Sequence, residues 1–188
     1  LGGIAAKLAG KIPVVWGVRN THVDAEKRLL KFLARAVNPL LSRWVPDAIV
    51  CCAERAREVH VAYGYAREKC IVIPNGFDVA RFKPCSRARA TLRTELEIPA
   101  AAPVVGMVAR LHPMKDHETF LAAAAIVARS IPGAVFVLCG DGLTIDSRPL
   151  TRWIREYGLP MERVRLIGRR DDVENVYPAL TVAVLSSK

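Results

Sequence analysis

Hydrophobic and polar positions along the chain fall into blocks that switch between two periods. Short, nearly continuous apolar runs, "KIPVVWGV", "DAIVCC" and "KCIVIP", predict strands. Between them, apolar residues recur every three or four positions, as on one face of a helix. The longest such segment runs from Asp24 to Trp44, where Leu29, Leu30, Leu33, Val37, Leu40, Leu41 and Trp44 form a stripe among Lys27, Arg28, Lys31 and Arg35. "AERAREVHVAYGY" predicts another helix, capped near Gly64. The stretch "PNGFDVARFKPCSRARATLRTELEIPAAAP" breaks the rhythm with Pro74, Pro84, Pro99 and Pro103, and reads as a linker holding a short helix around 86–96. Beyond it the pattern predicts strand 103–109, helix 115–130, strand 134–139, helix 146–157, strand 163–167, helix 171–179 and strand 181–186.

Strands that are apolar throughout, alternating with helices, imply parallel sheets covered on both faces. The fold class is therefore α/β, in two halves that meet near residue 84: residues 1–84 and 85–188. Composition agrees, with 52% hydrophobic and 24% charged residues in a chain of 188. The longest apolar runs, such as "LAAAAIVA", fall short of the roughly 20 residues that cross a bilayer. The first residues, "LGGIAAKLAGKIPVVW", show scattered lysines and no secretory cleavage site. A start at Leu1 and a stop after "TVAVLSSK" read as a segment of a longer protein.

Cysteines 51, 52, 70, 85 and 139 include no CxxC pair, and three of them sit inside apolar runs, so a reduced, cytoplasmic setting is expected. The net charge of +10 is uneven. Residues 1–85 carry 14 Lys/Arg against 7 Asp/Glu, and residues 86–188 carry 14 against 11. That excess favours an anionic partner and leaves open nucleic acid, anionic lipid or a phosphorylated substrate.

Three predicted strand ends carry the candidate chemistry, because ligands of open parallel sheets bind at the strands' carboxyl ends. In "VVGMVARLHPMKDHETFLAAAAIV", Arg110 ends a strand and Lys115 opens the next helix, where main-chain N–H groups already supply positive potential. Two added cations do nothing for the helix, but they suit a polyanion that Arg grips through its fork while Lys acts as a point charge. In "FVLCGDGLTID", Gly140, Asp141 and Gly142 form a glycine turn that matches neither a dinucleotide fingerprint nor a Walker loop. In "RLIGRRDDVENVYPAL", Gly168, Arg169 and Arg170 precede two helix-starting aspartates.

In their order and spacing, "IPNGFDVARFKP", "VVGMVARLHPMKDHETFLAAAAIV", "FVLCGDG" and "RVRLIGRRDDVENVYPALTVAVLSS" resemble the retaining glycosyltransferases of family 4, enzymes of the GT-B fold. "VVWGVRNTHVD" and "DAIVCCAERAREVHVAYGY" resemble the later part of that family's acceptor-side domain. The resemblance implies that residues 1–84 belong to the acceptor-side Rossmann-like domain and 85–188 to the donor-binding one. It implies that Arg110 and Lys115 neutralise the donor diphosphate as the sugar–phosphate bond breaks. Gly106 would let phosphate or sugar approach its strand, Gly140 and Asp141 would lie near the nucleotide, and Gly168 with Arg169 would border the base. Asn75 and Gly76 would face the cleft. Arg19, Asn20 and His22 would contact the acceptor or the transferred sugar, although His22 reads equally well as a structural histidine.

The implied partners are a nucleotide-diphosphate sugar and a glycan or lipid-linked acceptor. Residues 24–44 read first as an ordinary domain helix with its apolar stripe buried on the sheet, and alternatively as a segment that meets an anionic membrane surface, because cations flank that stripe. No cofactor is implied: no DxD motif appears, and the resemblance is to metal-independent enzymes. The family's paired glutamates are expected just after Lys188, and its first acceptor-side strand before Leu1. Two other readings stand beside this one: a basic α/β protein that binds nucleic acid, and a structural fragment without activity of its own.

Overall fold

The apolar runs form strands that all run parallel, and in the second sheet helices pack on both faces. The computed structural model describes residues 2–10, 12–19 and 33–188. They divide into two compact units, Leu1–Phe77 and Asp78–Lys188.

The first unit holds a parallel sheet of β1 (Val15–Val18), β2 (Ala48–Cys51) and β3 (Cys70–Val72), in that spatial order. Ile49 and Cys51 on the central strand are fully buried and pack with Val18, Ala56, Tyr65 and Cys70. Burial pushes the Cys51 thiol up to about 11, so it behaves as the small hydrophobe the sequence implied. A helix absent from the sequence reading, α1 (Gly2–Leu8), lies where Gly3 can sit flat against Val14 and Val45. Of the helix expected over 24–44, residues 24–32 lie outside the described residues. Leu33–Val37 form a π-helical turn that runs into α2 (Asn38–Ser42). The end of α2 is knitted to the chain ahead of β3 by the buried Ser42 hydroxyl, which donates to the Pro39 carbonyl and accepts from the Ala66 amide. Two residues of the expected buried stripe face solvent instead: Leu40 is 65% exposed and Trp44 is 80% exposed. The remaining helix, α3 (Glu54–Ala62), covers the sheet.

The second unit comprises α4 (Ser86–Glu95), β4 (Val104–Val108), α5 (His117–Ser130), β5 (Val135–Cys139), α6 (Arg148–Glu156), β6 (Val164–Leu166), α7 (Val173–Ala179) and β7 (Val182–Ala183). The strands lie parallel in the order β6-β5-β4-β7. All five residues of central β5 are buried. One face packs Met107, Phe136 and Leu138 against α5 and α6 through Phe120, Leu121, Leu150 and Ile154. The other packs Val104, Val137 and Cys139 against Leu92 of α4, Val176 of α7 and Leu180. Residues 78–84 travel with this unit: Arg81 pairs with Glu174 at 2.9 Å and the Phe82 ring meets Tyr177 edge-on. Arg93, only 4% exposed, donates to the carbonyls of Ala179, Ala100 and Ala102. It thereby fixes the proline-bounded loop ahead of β4.

Past the strands, three loops exchange main-chain hydrogen bonds. Ala109 donates to Cys139, Leu111 to Asp141, Gly140 to Gly168, and Gly168 to Leu143, all at 2.8–3.0 Å. Gly140 makes the crossing possible. At φ +151°, any Cβ there would fall 2.2 Å from the Ala109 carbonyl oxygen. Gly106 is likewise a packing residue, since Leu180 fills the space its side chain would take, with a carbon 2.5 Å from an ideal Cβ. The space that a side chain would take at Gly106 and at Gly140 is thus filled by the chain itself. Gly168, at φ +63°, spends its own N–H and carbonyl on the crossing.

Gly140→Ala is expected to destabilise the protein by at least ~2 kcal/mol in denaturant unfolding. Gly133→Ala, where a Cβ meets nothing within 4 Å, is expected to be near neutral. Equal effects would contradict the crossing geometry. A second expectation concerns acid. The Arg170 guanidinium, bonded to both Glu95 and Asp172, holds the Asp172 carboxyl at about 2, below its ordinary 3.8. A folded value below the unfolded one gives stability that is present above about 3.8 and lost as pH falls through about 2. Thermal melts across that window should show a shallower acid loss in Asp172→Asn than in wild type. An unchanged slope would contradict the assignment.

Candidate functional site

In the second sheet the chain steps outward one way from β4 to β5 and β6, then returns to add β7 on the other side. The crevice outside the carboxyl ends of β4 and β7 is therefore the switch point at which such sheets take ligands. The segment after β4 carries Arg110 and Lys115, and residues 184–188 follow β7.

Arg110 is exposed, its backbone fixed by the bonds of Ala109 and Leu111 to the β5 loop. His112 turns the chain by accepting the Met114 amide on Nδ1, and Pro113–Lys115 form a 3₁₀ turn. Asp116 follows at φ +52°, ψ +53°, a left-handed conformation costing a non-glycine residue on the order of 1–3 kcal/mol. Its carboxylate caps α5 by accepting from the Thr119 amide and hydroxyl. Lys115 therefore does not open the helix, as the sequence implied. It ends the preceding turn, because Pro113 favours that turn and Asp116 is the better cap. Burial pushes the Asp116 carboxyl up, but hydrogen bonds from Thr119 and Lys188 outweigh it and hold it below its usual range.

The segment after β7 fastens this turn. Ser186 Oγ donates to the carbonyls of Lys115 at 3.0 Å and Asp116 at 2.9 Å. The Lys188 amide donates to the Met114 carbonyl at 3.1 Å, and its ammonium lies 3.3 Å from the Asp116 carboxylate. Strand pairing accordingly stops at Ala183, short of the expected 186, where the chain leaves the sheet for the turn.

Among the described residues, neither Arg110 nor the half-buried Lys115 forms an ion pair. The contrast with Arg81, Arg93 and Arg170, which bond carboxylates or carbonyls, leaves these two cations available to a ligand. Beside the turn lies a cavity of about 360 Å³, lined by Leu111, His112, Asp116, His117, Trp153 and Lys188 among others, with Arg110 and Lys115 outside its lining. His117 is 2% exposed, and among the described residues neither ring nitrogen finds a hydrogen-bond partner of good geometry. Burial lowers its proton affinity, while the Ala109 backbone and Asp116 pull the other way.

The remaining expected residues are scattered over the two carboxyl edges. Asp141 and Arg169 are exposed, and Arg169 lies 3.6 Å from the still more exposed Asp171. In the first unit Arg19 follows β1, and Asn75 and Gly76 follow β3, so all three lie at the carboxyl edge of that sheet and are exposed. Asn20 and His22 lie outside the described residues. Sequence reasoning missed Ser186, whose role depends on a contact 70 residues away. It also missed the capping role of Asp116, although Asp followed three residues later by Thr was a readable signal.

Comparison with known proteins places these features. Residues 1–81 match the family model Glycosyltransferase Family 4, and residues 102–188 match Glycosyl transferases group 1. The whole chain is 30% identical to the UDP-Gal:alpha-D-GlcNAc-diphosphoundecaprenol alpha-1,3-galactosyltransferase of Escherichia coli, covering 49% of that protein. It is 31% identical over 141 residues to the lipopolysaccharide core biosynthesis glycosyltransferase LpsE of Rhizobium meliloti, a match spanning 75% of this chain and 37% of LpsE. The crystal structure of Anabaena HepE in complex with UDP and glucose superposes on 99% of this chain and 49% of its own, with a TM-score of 0.79 and 26% identity. WaaG, a lipopolysaccharide glycosyltransferase, shares the fold at a TM-score of 0.69 and 14% identity over 98% of this chain and 55% of its own. The chain spans about half the length of the E. coli and Anabaena relatives. With two Rossmann-like parallel units of GT-B type, and both family models matched in order, the chain belongs to the family 4, group 1 glycosyltransferases.

Proposed function

We propose that the protein containing this chain transfers a sugar from a nucleotide-diphosphate donor to a glycan or lipid-linked acceptor, with retention of anomeric configuration and without a metal ion. The observation that carries this reading is the pair of cations without carboxylate partners, Arg110 and Lys115, at the switch point of the second sheet. When the sugar–phosphate bond breaks, negative charge grows on the departing diphosphate. Cations fixed in advance stabilise that charge more than they stabilise the bound donor, and so lower the barrier. They also do what a divalent ion does in other transferases, which is the basis for the metal-independent reading. Asp141 and Arg169 flank the nucleotide. Arg19, Asn20, His22, Asn75 and Gly76 serve the acceptor side.

The donor class is supported by relatives: HepE was crystallised with UDP and with UDP-glucose, and the E. coli enzyme is named for UDP-Gal. The acceptor class is supported by that enzyme's diphosphoundecaprenol acceptor and by LpsE, whose name assigns it to lipopolysaccharide core biosynthesis, which together point to cell-surface polysaccharide. The proposed place of work is the cytoplasmic face of a membrane. No helix of the described residues is long and apolar enough to cross a bilayer. The excess positive charge of the first half, with exposed Leu40 and Trp44 on either side of Arg43, suits peripheral contact with anionic lipid.

In the full-length protein, Arg110→Ala and Lys115→Ala are each expected to lower sugar transfer by on the order of 10²-fold or more, with melting temperature unchanged. Near-normal turnover in either variant contradicts the assignment.

A further inference from the structure

The diphosphate reading needs Lys115 held at a fixed place relative to Arg110, yet a four-residue turn separates the two and a left-handed Asp116 follows. The restraint comes from outside the loop. The Lys115 carbonyl belongs to the peptide plane before the Asp116 Cα and the Asp116 carbonyl to the plane after it. Ser186 Oγ reaches both, at 3.0 and 2.9 Å, sharing its one proton between them. The angle between those planes is what φ and ψ of Asp116 define, so one hydroxyl restrains the unusual conformation and, through the Lys115 carbonyl, the end of the turn that carries Lys115. Ser186 follows β7, which pairs with β4 through Val105↔Val182 and Gly106↔Ala183. Arg110 follows β4. The two cations are thus referenced to adjacent strands of one sheet, and Ser186, together with Lys188, links the second strand to the turn that carries Lys115. Ser186 Oγ also lies 3.7 Å from the sulfur of fully buried Met107 on β4, which anchors it from below.

We infer that Ser186 is a positioning residue for diphosphate binding and departure: its hydroxyl holds the Lys115–Asp116 turn in the geometry that lets Lys115 act together with Arg110. The inference rests on the diphosphate reading above. It assigns Ser186 no contact with the substrate.

The test is a double-mutant cycle in the full-length protein, reading UDP affinity by calorimetry, kcat and donor KM, and stability to denaturant. Ser186→Ala is expected to weaken UDP binding and lower kcat by on the order of tenfold. Ser186→Thr, which keeps the hydroxyl, should restore most of both. In a Lys115→Ala background, Ser186→Ala should leave activity unchanged from Lys115→Ala alone, while costing the same stability as in wild type. If Ser186→Ala does not fold, Ser186→Cys, a similar volume with a weak donor, is read in the same way.

Equal proportional loss with and without Lys115 would show a merely structural role and overturn the inference. So would normal UDP affinity and kcat in Ser186→Ala where Lys115→Ala is impaired. Wild-type turnover in Lys115→Ala would instead overturn the diphosphate reading, and the role of Ser186 with it.

Discussion

The second unit depends on one close approach: the Ala109 carbonyl occupies the place where any side chain on Gly140 would begin. Because residue 140 has no Cβ, the loops after β4, β5 and β6 pass near enough to bond to one another through main-chain groups. The carboxyl edge of the sheet, ordinarily its loosest part, becomes a continuation of its hydrogen-bond pattern. Arg110 stands on that edge, so its position derives from the sheet.

Lys115 is positioned by a different device. Its turn is built from Pro113, a left-handed Asp116 and the start of α5, and none of these refers it to the sheet. The segment after β7 supplies that reference through Ser186 and Lys188. Two cations without ion pairs among the described residues thus follow adjacent strands of one sheet, and under the proposed function they meet the charge of a leaving diphosphate. Neighbouring cations show the alternative. Arg93 is consumed by carbonyls and Arg170 by two carboxylates, and both serve the fold.

Much of this was legible in the sequence. Periodicity located β4, α5, β5, α6, β6 and α7 to within a few residues, because their apolar runs are long and their ends are marked by proline, glycine or aspartate. What was not legible depends on contacts between distant segments. Gly106 read as a place where phosphate or sugar approaches and Gly140 as part of a turn near the nucleotide; a glycine's freedom is visible in sequence, while the atom that fills the freed space, Leu180 or the Ala109 carbonyl, is not. Lys115 read as the first residue of a helix because the apolar period begins there. The cap at Asp116 and the strap from Ser186 moved that start past Asp116. The exposed Leu40 and Trp44 were read as a buried stripe, since a helical period shows that residues share a face and does not show which face the protein covers. The arginine and lysine were singled out because placing cations at an already electropositive helix start has no structural benefit.

The central claim is that the turn after β4 binds a diphosphate. It is tested most directly by titrating the full-length protein with UDP and UMP over a range of salt concentrations. The account predicts that UDP binds more tightly by on the order of tenfold or more, and that this advantage shrinks as salt screens the added phosphate. Equal affinities for UDP and UMP at low salt would contradict it.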